Sequence, residues 1–216
     1  MLIFAVGEVL KVLATATEQK ASVEGVDRSP LQLPEVRAGV HFAAVFRDPA
    51  GRDDVLYPYL RDGLARGHSC TTCLSAGPSP RVLERLSHDV DVDATRSRGQ
   101  LSVCDAAKRP PVDRRSGVEA AGRLWEVVST EHPRSTYVCA RFTVEVQAWL
   151  PEIERHEELL RFEARLVNLA RGMPVAFMFL YDVSNLDGGL IVNVARTHAV
   201  VWMCGVPMTN PWFGAT

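Results

Sequence analysis

From residue 39 onward, short apolar runs alternate with amphipathic segments, and this alternation restricts the fold more than any other feature of the chain. The runs that begin at His41 and Ser69 are apolar for about the length of a buried strand. The run that begins at Pro174 is apolar almost throughout, which is typical of a central parallel strand. Strands that alternate with helices form right-handed crossovers in one parallel sheet. We therefore predict a three-layer α/β fold with a mostly parallel sheet flanked by helices.

The predicted strands cover residues 41–46, 69–75, 100–103, 137–146, 174–181 and 200–203, of which 137–146 is the longest. The predicted helices cover 53–66, a short segment opened by Ser79 and Pro80, a segment after Ser116, 152–171 and 187–197. Ser116 and Glu119 have the spacing of a capping box at the start of a helix. Residues 1–19 have helical character and residues 20–38 are polar, so we divide the chain into an N-terminal helix and linker, 1–38, and a domain, 39–216.

Composition excludes several classes of protein. The 216 residues are 47% hydrophobic and 23% charged, which is ordinary for one folded domain. The 24 basic residues are balanced by 26 acidic ones, so no electrostatic footprint for nucleic acid is expected. The odd count of five cysteines indicates reduced thiols and a cytoplasmic protein rather than a disulfide framework. No apolar run reaches the roughly 18 residues that a membrane span needs, and no signal peptide is expected.

Several short motifs resemble, in order, those of the MEDS sensory family, named for methanogen, methylotroph and dichloromethane-regulator proteins. They are His41-Phe-Ala-Ala-Val-Phe46, Tyr57-Pro-Tyr-Leu-Arg-Asp-Gly-Leu-Ala-Arg-Gly67 with Cys70, Phe142 to Trp149, Arg161 to Asn168, Leu180-Tyr181-Asp182, Thr197-His198 and Asn210-Pro-Trp-Phe213. The resemblance departs from the family pattern at His68, Ala199 and Phe213, where Glu, Pro and Tyr are usual. It implies a sensory or regulatory module, for which small hydrocarbon-derived ligands have been proposed.

The resemblance also implies a relationship to the RecA and KaiC ATPases, whose phosphate loop follows the first strand. At that position the segment Phe46 to Leu56 has a single glycine, Gly51, and places Asp53 and Asp54 near the usual Lys and Ser/Thr. Two carboxylates at a helix N-terminus suit the helix dipole but repel a triphosphate. We therefore expect a RecA-like fold without a working phosphate loop and without ATP hydrolysis.

Glu163 is the most unusual residue of the predicted helix 152–171. At 100° per residue it lies at the centre of an apolar stripe, with His156 about two turns earlier on the same face. A carboxylate among apolar neighbours is costly unless it is paired. We predict that Glu163 is buried with a hydrogen-bonding or charged partner. It either braces a strand or an arginine, faces a ligand or a proton, or binds a metal.

Cys70 and Cys73 form a Cys-x-x-Cys motif, which invites a redox or zinc interpretation. Residues three apart in a strand point to opposite faces, so the spacing is poor for either role. A structural zinc site also needs a second pair of ligands, for which Cys104, Cys139, His41 and His68 are the candidates. Three interpretations stay open, namely a metal site, a functional thiol and ordinary burial.

Polar and aromatic residues end two predicted strands at the carboxyl edge of the sheet, where open parallel sheets bind ligands. Glu145 and Trp149 end one strand, and Tyr181 and Asp182 end another. With His41 they are predicted to line a single pocket for a small, mostly apolar ligand. Ordinary core and edge positions are the alternative.

We therefore predict a non-catalytic sensory module that binds a small organic ligand or a signalling partner, with no cofactor, metal, nucleic acid or membrane. The predicted ligand-binding residues are His41, Cys70, Glu145, Trp149, Glu163, Tyr181, Asp182 and His198. One alternative is a thiol- or metal-dependent protein that uses Cys70 and Cys73 with His41. Another is a degenerate ATPase-like subunit that assembles with a protein partner, or with itself, through residues 1–19.

Overall fold

A seven-stranded sheet forms the middle layer of the fold, as a computed structural model of the chain shows. The structure describes residues 36, 39–75, 80–105, 116–131, 137–149, 156–186, 188–203, 206–210 and 213. The helix predicted over residues 1–19, and the linker apart from Val36, lie outside the described residues. None of the described helices is long and apolar enough to cross a membrane.

The sheet has the order β3-β2-β4-β5-β1-β6-β7, and every neighbouring pair is parallel except β6 and β7. Its strands are β1 His41–Phe46, β2 Ser69–Leu74, β3 Leu101–Asp105, β4 Ala140–Glu145, β5 Val175–Asp182, β6 Val200–Met203 and β7 Val206–Thr209. The predicted α/β fold with a mostly parallel sheet is thus confirmed. The central β5 is almost entirely buried, as its apolar run predicts.

Helices cover both faces of the sheet. They are α1 Pro49–Ala65, α2 Pro80–Ser87, α3 Val92–Ser97, α4 Gly117–Glu131, α5 Val146–Trp149, α6 His156–Leu169 and α7 Gly188–Thr197, with a 3-10 turn at Val183–Asn185. One core packs α4, α6 and α7 against the sheet face that carries Ala43, Phe177 and Phe179. A second core packs α1 and α2 against the opposite face.

Two elements begin at residues other than those predicted. Strand β4 begins at Ala140 because its neighbours begin there, in register with Ser69 and Val175, so β5 is the longest strand. Helix α1 begins at Pro49, because the Asp48 side chain caps it by accepting a hydrogen bond from the Gly51 backbone N–H.

Helix α3 and strand β7 were not predicted. Asp91 caps α3 by accepting a hydrogen bond from the Ala94 N–H, and the helix buries only Thr95, so it carries no apolar stripe. Strand β7 contains Pro207, which argues against a strand in general but is tolerated at the edge of a sheet.

The contact between α4 and α6 depends on a glycine. The Gly117 N–H donates a 2.7 Å hydrogen bond to the Glu158 carboxylate, and a Cβ at Gly117 would lie far inside contact distance of the Glu158 carbonyl oxygen. The same helix carries Gly122, where a Cβ would meet nothing within 4 Å. The predicted cap is also present, since the Glu119 N–H donates to the Ser116 hydroxyl at 3.3 Å.

We expect Gly117→Ala to lower the free energy of unfolding by about 2 kcal/mol, because a backbone oxygen cannot move aside as a side chain can. The matched change Gly122→Ala should stabilise the protein by about 0.5–1 kcal/mol, through helix propensity alone. Urea denaturation measures both. Equal effects of the two substitutions would contradict the close approach of α4 and α6.

Candidate functional site

Three titratable side chains from separate elements meet near the amino end of β1. His41 is the first residue of β1, Glu163 lies on α6 and His198 follows the last residue of α7. The His41 and His198 ring centroids are 4.9 Å apart, and His198 Nε2 lies 3.7 Å from Glu163 Oε2. We call His41, Glu163 and His198 the amino-edge cluster.

Glu163 is buried, as predicted, but it does not brace the fold through hydrogen bonds. Its side chain is 5% exposed, and Oε1 has no hydrogen-bond partner among the described residues. Burial raises the pKa of its carboxyl to about 8. The carboxyl is therefore mostly protonated at neutral pH, and the hydrogen-bonding or charged partner predicted for it is not found among the described residues; its polar neighbour is the His198 imidazole. The side chain of His156, predicted on the same face, lies outside the described part of the structure.

His198 is fully buried and neutral. Burial lowers the pKa of its imidazole to about 4. Its Nδ1 lies 2.8 Å from the Val194 carbonyl oxygen, which can only accept, so Nδ1 carries the proton. Its Nε2 is then a lone-pair acceptor, and it has no hydrogen-bond partner within the described ranges. The 3.7 Å contact with Glu163 is thus a contact between two neutral groups and not an ion pair.

Asn210, the first residue of the Asn210-Pro-Trp-Phe213 motif, holds the backbone around His198. The Asn210 amide donates to the His198 carbonyl oxygen at 2.7 Å and to the carbonyl oxygen of Ala195. His41 Nε2 lies 3.3 Å from the Thr197 carbonyl oxygen, and burial lowers the pKa of the His41 imidazole. The resemblance in sequence at Thr197-His198 and at Asn210 thus corresponds to one local structure. The role of Asn210 was not predicted.

Aromatic rings surround the amino-edge cluster. The Phe179 ring packs edge-on against both imidazoles, with centroids 6.5 Å from His41 and 6.0 Å from His198. The Tyr181 ring lies 6.4 Å from His198, and its buried hydroxyl lacks a hydrogen-bond partner in the described part of the chain. Such a low-dielectric setting explains why both the carboxyl and the imidazole are neutral.

A cleft of about 170 Å³ opens beside His41. It lies between the amino ends of β1 and β5 and the C-terminal end of α6. Its lining residues are Gly39, His41, Val167, Ala170, Arg171, Gly172, Val175 and Phe177. Val167 follows Glu163 by one helical turn, and the His41 ring that lines the cleft lies 4.9 Å from the His198 ring. We call it the amino-edge cleft.

The carboxyl edge of the sheet carries a different arrangement. Glu145 is 8% exposed, and its carboxylate accepts hydrogen bonds from Arg52 Nη1 at 3.2 Å, from the Ser75 N–H at 3.2 Å and from the Ser75 hydroxyl at 2.9 Å. Arg52 lies on α1, in the segment Phe46 to Leu56 that stands at the position of a phosphate loop. Arg52 was not singled out by the sequence, because an arginine near a helix N-terminus is usually a surface residue.

Asp182 and Trp149 have structural positions at that edge. The Asp182 carboxylate caps the 3-10 turn by accepting a hydrogen bond from the Ser184 N–H at 3.0 Å. Trp149 lies on α5 and not at the end of a strand, and its ring is buried in the core with α4 and α6. The structure therefore does not bring His41 and Asp182 into the single pocket that was predicted. His41 and Asp182 are five residues apart along paired strands, roughly 16 Å, at opposite edges of the sheet.

Cys70 lies far from both groups. It belongs to the sheet face under α1, whereas Cys73 belongs to the opposite face, as the strand spacing predicts. β4 and β5 separate β2 from β1, so Cys70 and His41 are about 14 Å apart and on opposite faces. Burial raises the pKa of the Cys70 thiol to about 12, so it is mostly unreactive at neutral pH. The structure does not assemble the thiol site that pairs Cys70 with His41.

Arg141, a buried residue to which the sequence assigned no role, lies near Cys70. The Arg141 guanidinium donates to Asp62 Oδ2 at 2.6 Å, to His68 Nδ1 at 2.9 Å and to the Tyr59 carbonyl oxygen at 3.2 Å. Its partners satisfy it, so the cluster is a structural one. Among the residues that the structure describes, no three His, Cys, Asp or Glu side chains lie close enough together to hold a metal ion.

Comparisons with known proteins concern the family and the fold of the chain. The family model of the MEDS domain, described as the methanogen/methylotroph, DcmR sensory domain, matches residues 40–199. A comparison with curated protein sequences finds no match.

Solved structures share the fold at low sequence identity. A KaiC-like protein of Pyrococcus horikoshii is 11% identical with a TM-score of 0.50, and the alignment covers 77% of this chain and 71% of that one. An uncharacterised P. horikoshii protein, in complex with an unknown peptide, is 14% identical with a TM-score of 0.52, and 78% of each chain is covered. The flagellar accessory protein FlaH of Methanocaldococcus jannaschii is 10% identical with a TM-score of 0.50, covering 78% and 72%. The chain thus has a RecA-like fold of the KaiC type.

The pKa values of the amino-edge cluster predict how stability depends on pH. The Glu163 pKa is raised from 4.5 to about 8, so the folded state binds more protons than the unfolded state between these values, and stability falls as the pH rises. The His198 pKa is lowered from 6.5 to about 4, so His198 has the opposite effect, confined to pH below 6.5. His41, whose pKa is also lowered by burial, acts in the same direction as His198, so above that pH Glu163 is the member of the cluster that determines the change. Between pH 6.5 and 8.5 we expect a loss of about 2 kcal/mol.

Glu163→Gln should remove this loss and leave stability near pH 6 almost unchanged, because Glu163 makes no hydrogen bond that the amide would break. Glu157→Gln, on the exposed side of the same helix, is the control and should keep the pH dependence. Urea denaturation of the three proteins at both pH values measures the difference. Parallel pH profiles for the original protein and Glu163→Gln would contradict the neutral, buried carboxyl.

At the carboxyl edge, Glu145→Gln should lower the free energy of unfolding by about 3 kcal/mol, because it removes the closer of two carboxylates near the buried Arg52 guanidinium, at 3.2 Å, and leaves Asp53 at 3.9 Å. The double variant Arg52→Met with Glu145→Gln should recover part of that loss. A double-mutant cycle by chemical denaturation measures the coupling. Strictly additive effects would show that the two side chains are not coupled.

Proposed function

We propose that this chain, which belongs to the MEDS family of sensory domains, is a non-catalytic sensory module that binds a small organic ligand in the amino-edge cleft. The family match supports a sensory or regulatory role, and the cleft supplies a place for a ligand. The proposal moves the predicted site from the carboxyl edge to the amino edge. Of the predicted residues it retains His41, Glu163, His198 and Tyr181.

One observation carries the proposal. Buried polar atoms without a hydrogen-bond partner occur at several places in the described part of the fold, but Glu163 Oε1 and His198 Nε2 belong to side chains 3.7 Å apart, and the Tyr181 ring lies 6.4 Å from His198. An unsatisfied buried polar group costs about 1–3 kcal/mol, so several in one region of a fold need an explanation. A region that is kept ready for a polar group of a ligand is such an explanation. At the carboxyl edge, in contrast, the Glu145 carboxylate is fully engaged by Arg52 and Ser75.

The size and walls of the cleft restrict the ligand. Its volume of about 170 Å³ corresponds to about six water molecules in the liquid, which is room for a molecule of a few heavy atoms. Val167, Ala170, Val175 and Phe177 make most of its wall apolar. A triphosphate or a peptide is too large, whereas a short hydrocarbon derivative fits.

We further propose that the protein acts in a reducing compartment such as the cytoplasm and passes its signal to a protein partner. Cys70, Cys73, Cys104 and Cys139 are buried and form no disulfide among the described residues, which is typical of proteins that are kept reduced. The partner is proposed from the sensory role of the family. The segment proposed to contact it, residues 1–19, lies outside the described residues.

Filling the cleft tests the proposed function. Benzene, a compact apolar probe, should bind at millimolar concentration and be detected by ligand-observed NMR and by a rise in melting temperature. Ala170→Leu should abolish both signals by occupying the cleft. Ala164→Leu, on the exposed face of α6, the helix that ends just before Ala170, should leave both signals intact. Binding of benzene that Ala170→Leu does not reduce, or no binding to the original protein, would overturn the location of the site.

A further inference from the structure

The chemistry of the amino-edge cluster narrows the ligand class further than the shape of the cleft does. We propose that the ligand carries a hydroxyl group, which Glu163 and His198 hold between them while the cleft holds its short apolar part. This inference rests on the proposed function, because it names the ligand class of the same site.

His198 supplies a hydrogen-bond acceptor. The Val194 carbonyl oxygen fixes the proton on Nδ1 at 2.8 Å, so the lone pair lies on Nε2. That atom is buried and makes no hydrogen bond to any described residue. A ligand that completes the cluster must therefore donate a hydrogen bond to Nε2.

Glu163 supplies a donor. The protonated carboxyl has one O–H, and its Oε2 lies 3.7 Å from His198 Nε2, which is too long for a direct hydrogen bond. A group that joins the two must accept from the carboxyl and donate to the imidazole. A hydroxyl does both with a single oxygen atom.

Other small polar groups satisfy the pair less well. A carbonyl accepts from Glu163 but leaves His198 Nε2 without a donor, and a halogen provides neither bond at useful strength. An ammonium ion donates to both, but it requires an ionised Glu163 and the transfer of a cation into an apolar region. The exposed Arg171 at the rim of the cleft also opposes the entry of a cation.

The cleft lies next to the pair. Val167 lines the cleft one helical turn after Glu163, and the His41 ring, which also lines the cleft, has its centroid 4.9 Å from that of the His198 ring. His41 is half-buried and is held through Nε2 by the Thr197 carbonyl oxygen at 3.3 Å. Neither Glu163 nor His198 lines the cleft, so the proposal requires the His41 ring to rotate and let an oxygen atom reach the pair.

Four molecules with one carbon skeleton test the proposal: 2-butanol, 2-butanone, 2-chlorobutane and sec-butylamine. Dissociation constants are measured by ligand-observed NMR at pH 7. We expect 2-butanol to bind about tenfold more tightly than each of the other three. Equal binding of 2-butanol and 2-chlorobutane would overturn the proposal, and so would tighter binding of the amine or the ketone.

Two substitutions at Glu163 separate a donor from a charge. Glu163→Gln keeps a donor, so the preference for 2-butanol should persist, whereas Glu163→Met should remove it while 2-chlorobutane binds as before. His198→Phe should act like Glu163→Met. If Glu163→Met leaves the preference intact, the pair holds water only and the proposal fails.

Benzene distinguishes this failure from failure of the proposed function. If benzene binds and Ala170→Leu abolishes its binding, the ligand cleft exists, and a missing preference for 2-butanol overturns only the hydroxyl. If benzene does not bind at the cleft, the proposed function and the ligand class fall together. Circular dichroism of the variants checks that each has folded.

Discussion

The parallel pairing of β1 with β5 is the constraint on which the rest of the structure depends. Its register sets His41 beside Phe177 at one edge of the sheet and Phe46 beside Asp182 at the other. Both strands are buried on both faces, so a slip by one residue would exchange the residues that face α1 with those that face α6. Both edges of the fold, with their separate polar groups, are fixed by this one pair.

The two edges handle buried polar groups in opposite ways. At the carboxyl edge the Glu145 carboxylate and the Arg52 guanidinium form an ion pair with a 3.2 Å hydrogen bond, so each charge has an opposite charge beside it. At the amino edge Glu163 and His198 escape the cost of burial by becoming neutral, which leaves a donor and an acceptor unused. In open parallel sheets, ligands bind beyond the carboxyl ends of the strands. Here that edge is occupied by an ion pair.

The sequence predicts the fold class well because strands and helices each have a local pattern of apolar and polar residues. Apolar runs and caps such as Ser116 place most elements within a few residues, and helical spacing places Glu163 in the core. Strand order and register depend on tertiary packing, and no single run of residues encodes them. His41 begins a predicted parallel strand and Asp182 follows the end of another, so their opposite edges could have been inferred from the sequence. The distance between Cys70 and His41 depends on strand order and could not.

The candidate site was less predictable, for a related reason. Glu163 could be found because a carboxylate interrupts an apolar stripe, and His198 only through its resemblance to a family motif. Arg52 and Arg141 gave no signal, because an arginine that ends in a buried ion pair looks in sequence like one on the surface. Their partners come from other strands and helices, so only the folded chain reveals them.

The neutral pair has a thermodynamic consequence that suits a sensor. A buried group without a partner lowers the stability of the unliganded fold, and a ligand that satisfies it restores that stability only while it is bound. The change falls on α6 and on the end of α7, since Glu163 belongs to one and His198 follows the other. The Asn210 amide ties the His198 backbone to the segment after β7, at the edge of the sheet. Under the proposed function, occupancy of the cleft would therefore be coupled to the packing of these two helices and of the segment after β7.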